Sequence, residues 1–146
     1  MSDVQVFWAG FLAETGAADG PYRVCAFADD KPELATELGL LVRDGPKRAT
    51  AGLYAEYQEE GEPLPVVGDR WIVTDGAGGP LCVVRTTAVE TRRYADVDEA
   101  FAWDEGENDR TLAGWRRAHE WYFASVGRPL DANTLLVLER FEKLWP

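Results

Sequence analysis

The chain has 146 residues, 46% of them hydrophobic and 12% aromatic, so it is rich enough to bury a core and too apolar for a disordered tail. Its net charge of −11 argues against duplex DNA or long RNA as a partner, because phosphate affinity comes from Lys and Arg releasing counterions. No run approaches eighteen apolar residues, and Met1-Ser2-Asp3 lacks the basic and apolar regions of a signal peptide; the expectation is one cytoplasmic domain over 1–146 with no membrane segment.

In chain order, Val4, Phe7, Trp8, Phe11 and Leu12 recur at steps of three and four, which predicts an amphipathic helix stopping before Gly16-Ala17-Ala18-Asp19-Gly20-Pro21. Residues 1–20 read as an N-terminal helical extension, and 22–27 as a short strand. Asp30-Lys31-Pro32-Glu33 has the form of a capping box with Asp30 as N-cap. It opens a helix striped by Leu34, Leu38, Leu41 and Val42 and stopped by Asp44-Gly45. Cys25 and Cys82 are far apart and form no Cys-x-x-Cys pair, so both are expected as reduced thiols.

Beyond that stop comes Gly45-Pro46-Lys47-Arg48-Ala49-Thr50-Ala51-Gly52. It places an ammonium and a hydroxyl three residues apart at a helix C-terminus, whose carbonyls favour the cations of Lys47 and Arg48. The stretch offers a cation and a potential nucleophile to one small ligand; an exposed basic turn entering a strand would carry the same residues. Residues 53–57 fit strand or helix equally, and 59–65 read as an acidic loop.

Residues 70–74 and 81–90 are rich in Val, Ile, Thr and Trp and predict two strands joined by a hairpin loop over 75–80. Gly76, Gly78 and Gly79 lack the spacing and following helix of a phosphate-binding loop. Residues 96–109 carry a run of carboxylates, most of them expected to be solvated. They show no Asp-x-Asp-x-Asp-Gly loop or His-rich spacing, so no cofactor is expected.

Thr111 can cap a helix in which Leu112, Trp115, His119, Tyr122 and Val126 form one stripe before Gly127-Arg128-Pro129. The only histidine lies on that stripe, either as a satisfied core residue or as a catalyst. Trp115, Tyr122 and nearby Trp121 read as core, with stacking on a base as the alternative. A last strand over 134–144 completes a pattern of strands with helices between them, the mark of an α+β fold built on a small, partly open barrel.

Gly45, Lys47 and Thr50 match three positions of the Gly-x-Lys-x-x-Thr-x-Arg signature of the ASCH domain, a member of the PUA-like superfamily; Gly52 stands where the signature has arginine. The similarity continues through Val67-Gly68-Asp69, Pro80-Leu81-Cys82-Val83-Val84 with Thr86-Thr87, and Phe101-Ala102-Trp103-Asp104-Glu105-Gly106-Glu107. Trp115 with His119 and Leu136-Val137-Leu138-Glu139-Arg140-Phe141 extend it further. From about Asp29 to the C-terminus the chain therefore resembles one ASCH domain.

The resemblance implies a PUA-like fold and a cleft in which Lys47 and Thr50 face an acidic residue. Glu105 is singled out for that place, Glu107 is the runner-up, and Glu99 and Glu90 are further candidates. It also implies one of three activities: an amidohydrolase that removes an acyl group from a nucleoside such as acetylated cytidine, a ribonuclease on single-stranded RNA with a divalent metal possible, or an RNA-binding module without chemistry. The acidic charge favours a small nucleoside or short single-stranded RNA as partner. The expected catalytic set is Lys47, Thr50 and Glu105, with Arg48, Trp115 and His119 as substrate contacts. A threonine hydroxyl needs a base, so either Lys47 has its pKa depressed by burial and by Arg48, or it stays charged and stabilises an oxyanion while Glu105 moves protons.

Overall fold

The computed structural model describes residues 1–28 and 30–146; Asp29, near which the family resemblance begins, lies outside them. The helices are α1 (Asp3–Thr15), α2 (Pro32–Asp44), α3 (Tyr54–Glu60), α4 (Glu99–Glu105) and α5 (Leu112–Ser125). The strands are β1 (Arg23–Cys25), β2 (Ala49–Leu53), β3 (Arg70–Thr74), β4 (Pro80–Arg93) and β5 (Leu135–Trp145), with a 3-10 turn at Tyr94–Asp96.

The strands form one sheet in the order β1-β3-β4-β5-β2. β1 runs parallel to β3, with Cys25 opposite Val73, and β3 runs antiparallel to β4, with Val73 opposite Cys82. The two cysteines therefore lie in one row two strands apart, about 9.5 Å at the usual strand spacing, which is too far for a disulfide. β2 pairs antiparallel with β5, Ala49 opposite Arg140 and Thr50 opposite Glu139.

Contacts group the chain into two compact units. The first, Met1–Gly45, Val67–Thr87 and Phe141–Pro146, is built on two clusters. Trp8 and Phe11 of α1 pack on Ile72 and Val83, while Phe27, Val42, Trp71, Val73, Cys82, Val84 and Phe141 form the other. The second, Pro46–Val66 and Ala88–Arg140, buries Ala49 and Leu53 of β2 with Phe101, Ala102, Trp115, Phe123, Leu136 and Leu138.

Local chemistry sets most boundaries. The Ser2 hydroxyl accepts from the Gln5 N–H, the Gln5 side chain answers the Ser2 N–H, and Gly16 in the left-handed region closes α1. The N-cap of α2 falls one residue later than its sequence suggests. That residue is Lys31, without a side-chain bond, and Pro32 supplies the first turn with a preset φ at a position where no N–H is missed. Asp30 is therefore not the cap. The ambiguous 53–57 stretch divides at Leu53, which ends β2, and Glu59 and Glu60 belong to α3 rather than to a loop. Part of the acidic run is helical as well: Asp98 caps α4 by accepting from the Phe101 N–H at 2.9 Å.

Candidate functional site

Lys47 lies between α2 and β2, and its side chain is turned inward. Only 1% of the side chain is exposed, and the ammonium donates to the Ala49 carbonyl at 2.8 Å. It also reaches Glu107 Oε2 at 2.7 Å and Glu105 Oε1 at 3.3 Å. A charge this deep in the fold is tolerable only with such partners.

The segment beyond α4 brings those partners in. The Arg48 N–H donates to the Asp104 carbonyl at 2.7 Å, sewing the end of α4 to the Lys47 segment. Gly106 follows with φ +68°, and a Cβ there would stand 2.7 Å from the Lys47 nitrogen and the Pro46 carbonyl carbon. Only glycine allows that approach, and it places Glu105 and Glu107 on the same ammonium. Arg110 fastens the far side of the loop. Its guanidinium stacks 3.6 Å from the Trp103 ring centre and donates to the Trp103 carbonyl at 3.0 and 2.8 Å.

α5 supplies the remaining wall. The Trp115 indole N–H donates to Glu105 Oε2, and the His119 ring stacks on the indole at 4.0 Å between centroids. His119 Nδ1 lies 2.8 Å from the Trp115 carbonyl, which can only accept, so that nitrogen carries a proton. Nε2 stands 3.2 Å from the Glu105 carboxylate. The Glu105 carboxylate facing Nε2 favours a second proton there and so the charged ring.

The ionisation pattern follows from burial opposed by these partners. Burial would lower the Lys47 pKa, but the Glu107 and Glu105 carboxylates together raise it, so the ammonium stays charged. Burial likewise opposes charge on Glu105, yet His119 and Lys47 hold its carboxyl far below the usual range. Glu107 moves the other way: burial, reinforced by the nearby Glu105 charge, outweighs Lys47 and raises it. His119 is pushed down by desolvation and pulled up more strongly by Glu105. The two carboxyls are thus split, with Glu105 fixed as the anion and Glu107 able to carry a proton.

The sequence-expected residues separate in space. Lys47, Glu105, Trp115 and His119 meet in one cluster, joined by Glu107. Trp115 is buried, with its N–H committed to Glu105, so its ring is a wall of the cluster rather than a surface on which a base can stack. Arg48 bends back to donate to the Lys47 carbonyl at 2.6 Å. Thr50 is half-buried on the face of β2 opposite Ala49 and Leu53, across the ladder from Glu139. Among the described residues no hydrogen bond joins its hydroxyl to the cluster. Glu99 is exposed, and Glu90 pairs with Arg92 at 3.0 Å. Glu107 was the harder residue to place from sequence, since the left-handed turn at Gly106 is what re-aims the chain after α4.

Glu105, Glu107 and His119 offer donor atoms within 4.8 Å of one another, a set that a divalent metal accepts. The cation they surround here is the Lys47 ammonium, which stands in direct contact with both carboxylates.

Sheet order, inserted helices and the Lys47 setting define an α+β protein of PUA-like type with a partly open barrel. The family model described as the ASCH domain matches residues 23–144, and the chain belongs to that family. An ASCH domain from Lactobacillus crispatus JV V101 is 30% identical, with a TM-score of 0.86 over 99% of this chain and 95% of that one. Protein EF3133 from Enterococcus faecalis V583 is 34% identical, with a TM-score of 0.81 over 97% of this chain and 87% of that one. No curated protein matches the chain.

Proposed function

We propose that this protein binds a ribonucleoside or a short single-stranded RNA and hydrolyses an acyl amide on the base. One observation carries the reading: the buried Lys47 ammonium touches both Glu105 and Glu107, His119 stands against Glu105, and these contacts with burial push the two carboxyls' proton affinities in opposite directions. Such splitting of neighbouring acids is how one site holds both a fixed charge and a proton carrier. Water attacks the acyl carbon and gives its proton to the Glu107 carboxylate, Lys47 stabilises the tetrahedral oxyanion, and Glu107 passes the proton to the amine as the C–N bond breaks and the free acid is released. Glu105 holds Lys47 and His119 in place as the anion. Because Lys47 is held protonated, it is not a base for Thr50, and in this reading Thr50 contacts the substrate.

The near-complete burial of Lys47 and Glu105 favours a second reading, a structural ion network in a protein that binds without chemistry. Incubation with acetylated cytidine, followed by chromatography for cytidine and acetate, separates the two. Turnover lost in Lys47→Met and reduced in Thr50→Ala and Glu107→Gln supports hydrolysis. Nucleoside binding without acetate release supports the module. Cleavage of a short RNA in place of deacylation would assign the ribonuclease activity instead.

A further inference from the structure

The valence of Lys47 restricts how anything can reach it. An ammonium has three protons, and among the described residues this one reaches the Ala49 carbonyl at 2.8 Å, Glu105 at 3.3 Å and Glu107 at 2.7 Å, enough to occupy all three. A ligand oxygen can bond to Lys47 only if one of its partners gives way. The Ala49 carbonyl belongs to the β2 backbone. Glu105 is held by the Trp115 indole N–H and by His119, and its side chain is 2% exposed. Glu107 is 17% exposed and sits on the turn that follows α4. Besides Lys47, it hydrogen-bonds the Glu105 carboxyl, a further contact that rotation outward gives up.

We infer that the Glu107 carboxylate is a placeholder, occupying the seat at Lys47 that a ligand's carboxylate or tetrahedral oxyanion takes. The inference rests on the proposed reading of this cluster as the ligand site, and it names the ligand chemistry there. The class is a small oxyanion of carboxylate geometry, which an acyl group presents during hydrolysis and as the released acid. Glu107 rotates outward, the ligand oxygen accepts the freed Lys47 proton, and His119, 11% exposed, borders the opening.

His119 is the only histidine in the chain, so its ring protons give a single NMR reporter beside the seat. Wild type, Glu107→Ala and Glu107→Gln are titrated with sodium acetate, against sodium chloride at equal ionic strength. The expected order of affinity is Glu107→Ala, then Glu107→Gln, then wild type, with Glu107→Ala binding acetate at least about tenfold tighter than wild type. Adding Lys47→Met to Glu107→Ala should abolish the saturable shift. Equal acetate affinity in the folded proteins, or binding that persists without Lys47, would overturn the inference. If Glu107→Ala does not fold, wild type against Glu107→Gln decides by the same order. Failure of deacylation with this order intact would sink only the hydrolase reading; deacylation without it would sink only the placeholder.

Discussion

Lys47 shows how one buried charge organises its surroundings. Removing it leaves Glu105 buried without its ammonium, so Lys47→Met should lower unfolding stability by about 3–5 kcal/mol, read from urea midpoints. The pH dependence has a definite sign. Glu105 has a depressed folded pKa, so its stabilisation is present above its ordinary value of 4.5 and lost as pH falls through the folded value. His119 has a raised folded pKa; its stabilisation is full below 6.5 and lost as pH rises through the folded value. The destabilisation caused by Glu105→Gln should therefore be greatest between pH 4.5 and 6.5 and shrink on either side. A destabilisation that is flat with pH would show that the carboxylate charge is not what holds the cluster.

At the scale of elements, the turn after α4 makes the site. Gly106 and Gly16 both adopt positive φ at a helix end, but only Gly106 has backbone atoms where a Cβ would go. Gly16→Ala should cost about 1 kcal/mol from backbone conformation alone, while Gly106→Ala should cost clearly more, because the Lys47 segment must also move. Thermal unfolding of the two variants checks this, and equal losses would contradict it. The same contrast explains what the sequence could convey. Periodicity located α1 and α5 because each buries one stripe, and Thr111 was readable as a cap because its hydroxyl acts within three residues. The start of α2 was misread because Asp30 and Pro32 are both start signals, and the proline won. α4 stayed hidden within a run of acids, since only Phe101, Ala102 and Glu105 turn inward from it. Lys47 and Glu105 could be paired through the family signature; the contact of Glu105 with His119 is a tertiary fact that no local pattern carries.

At the scale of the whole molecule, a net charge of −11 is at odds with capture of long RNA, and the cationic group of the site is enclosed by its own carboxylates. Affinity for a nucleoside should hardly change between low and physiological salt, whereas any affinity for a long RNA should be weak and fall steeply. Titrations of a nucleoside and an RNA oligomer at two salt concentrations test this; tight, salt-resistant RNA binding would reverse the preference for a small ligand. The most direct measurement of all is release of acetate from acetylated cytidine by wild type and by Lys47→Met, with folding of both verified. Release by wild type that disappears with the ammonium is the predicted result. Release that continues unchanged in folded Lys47→Met, or no release from a nucleoside shown to be bound, would contradict hydrolysis at this cluster.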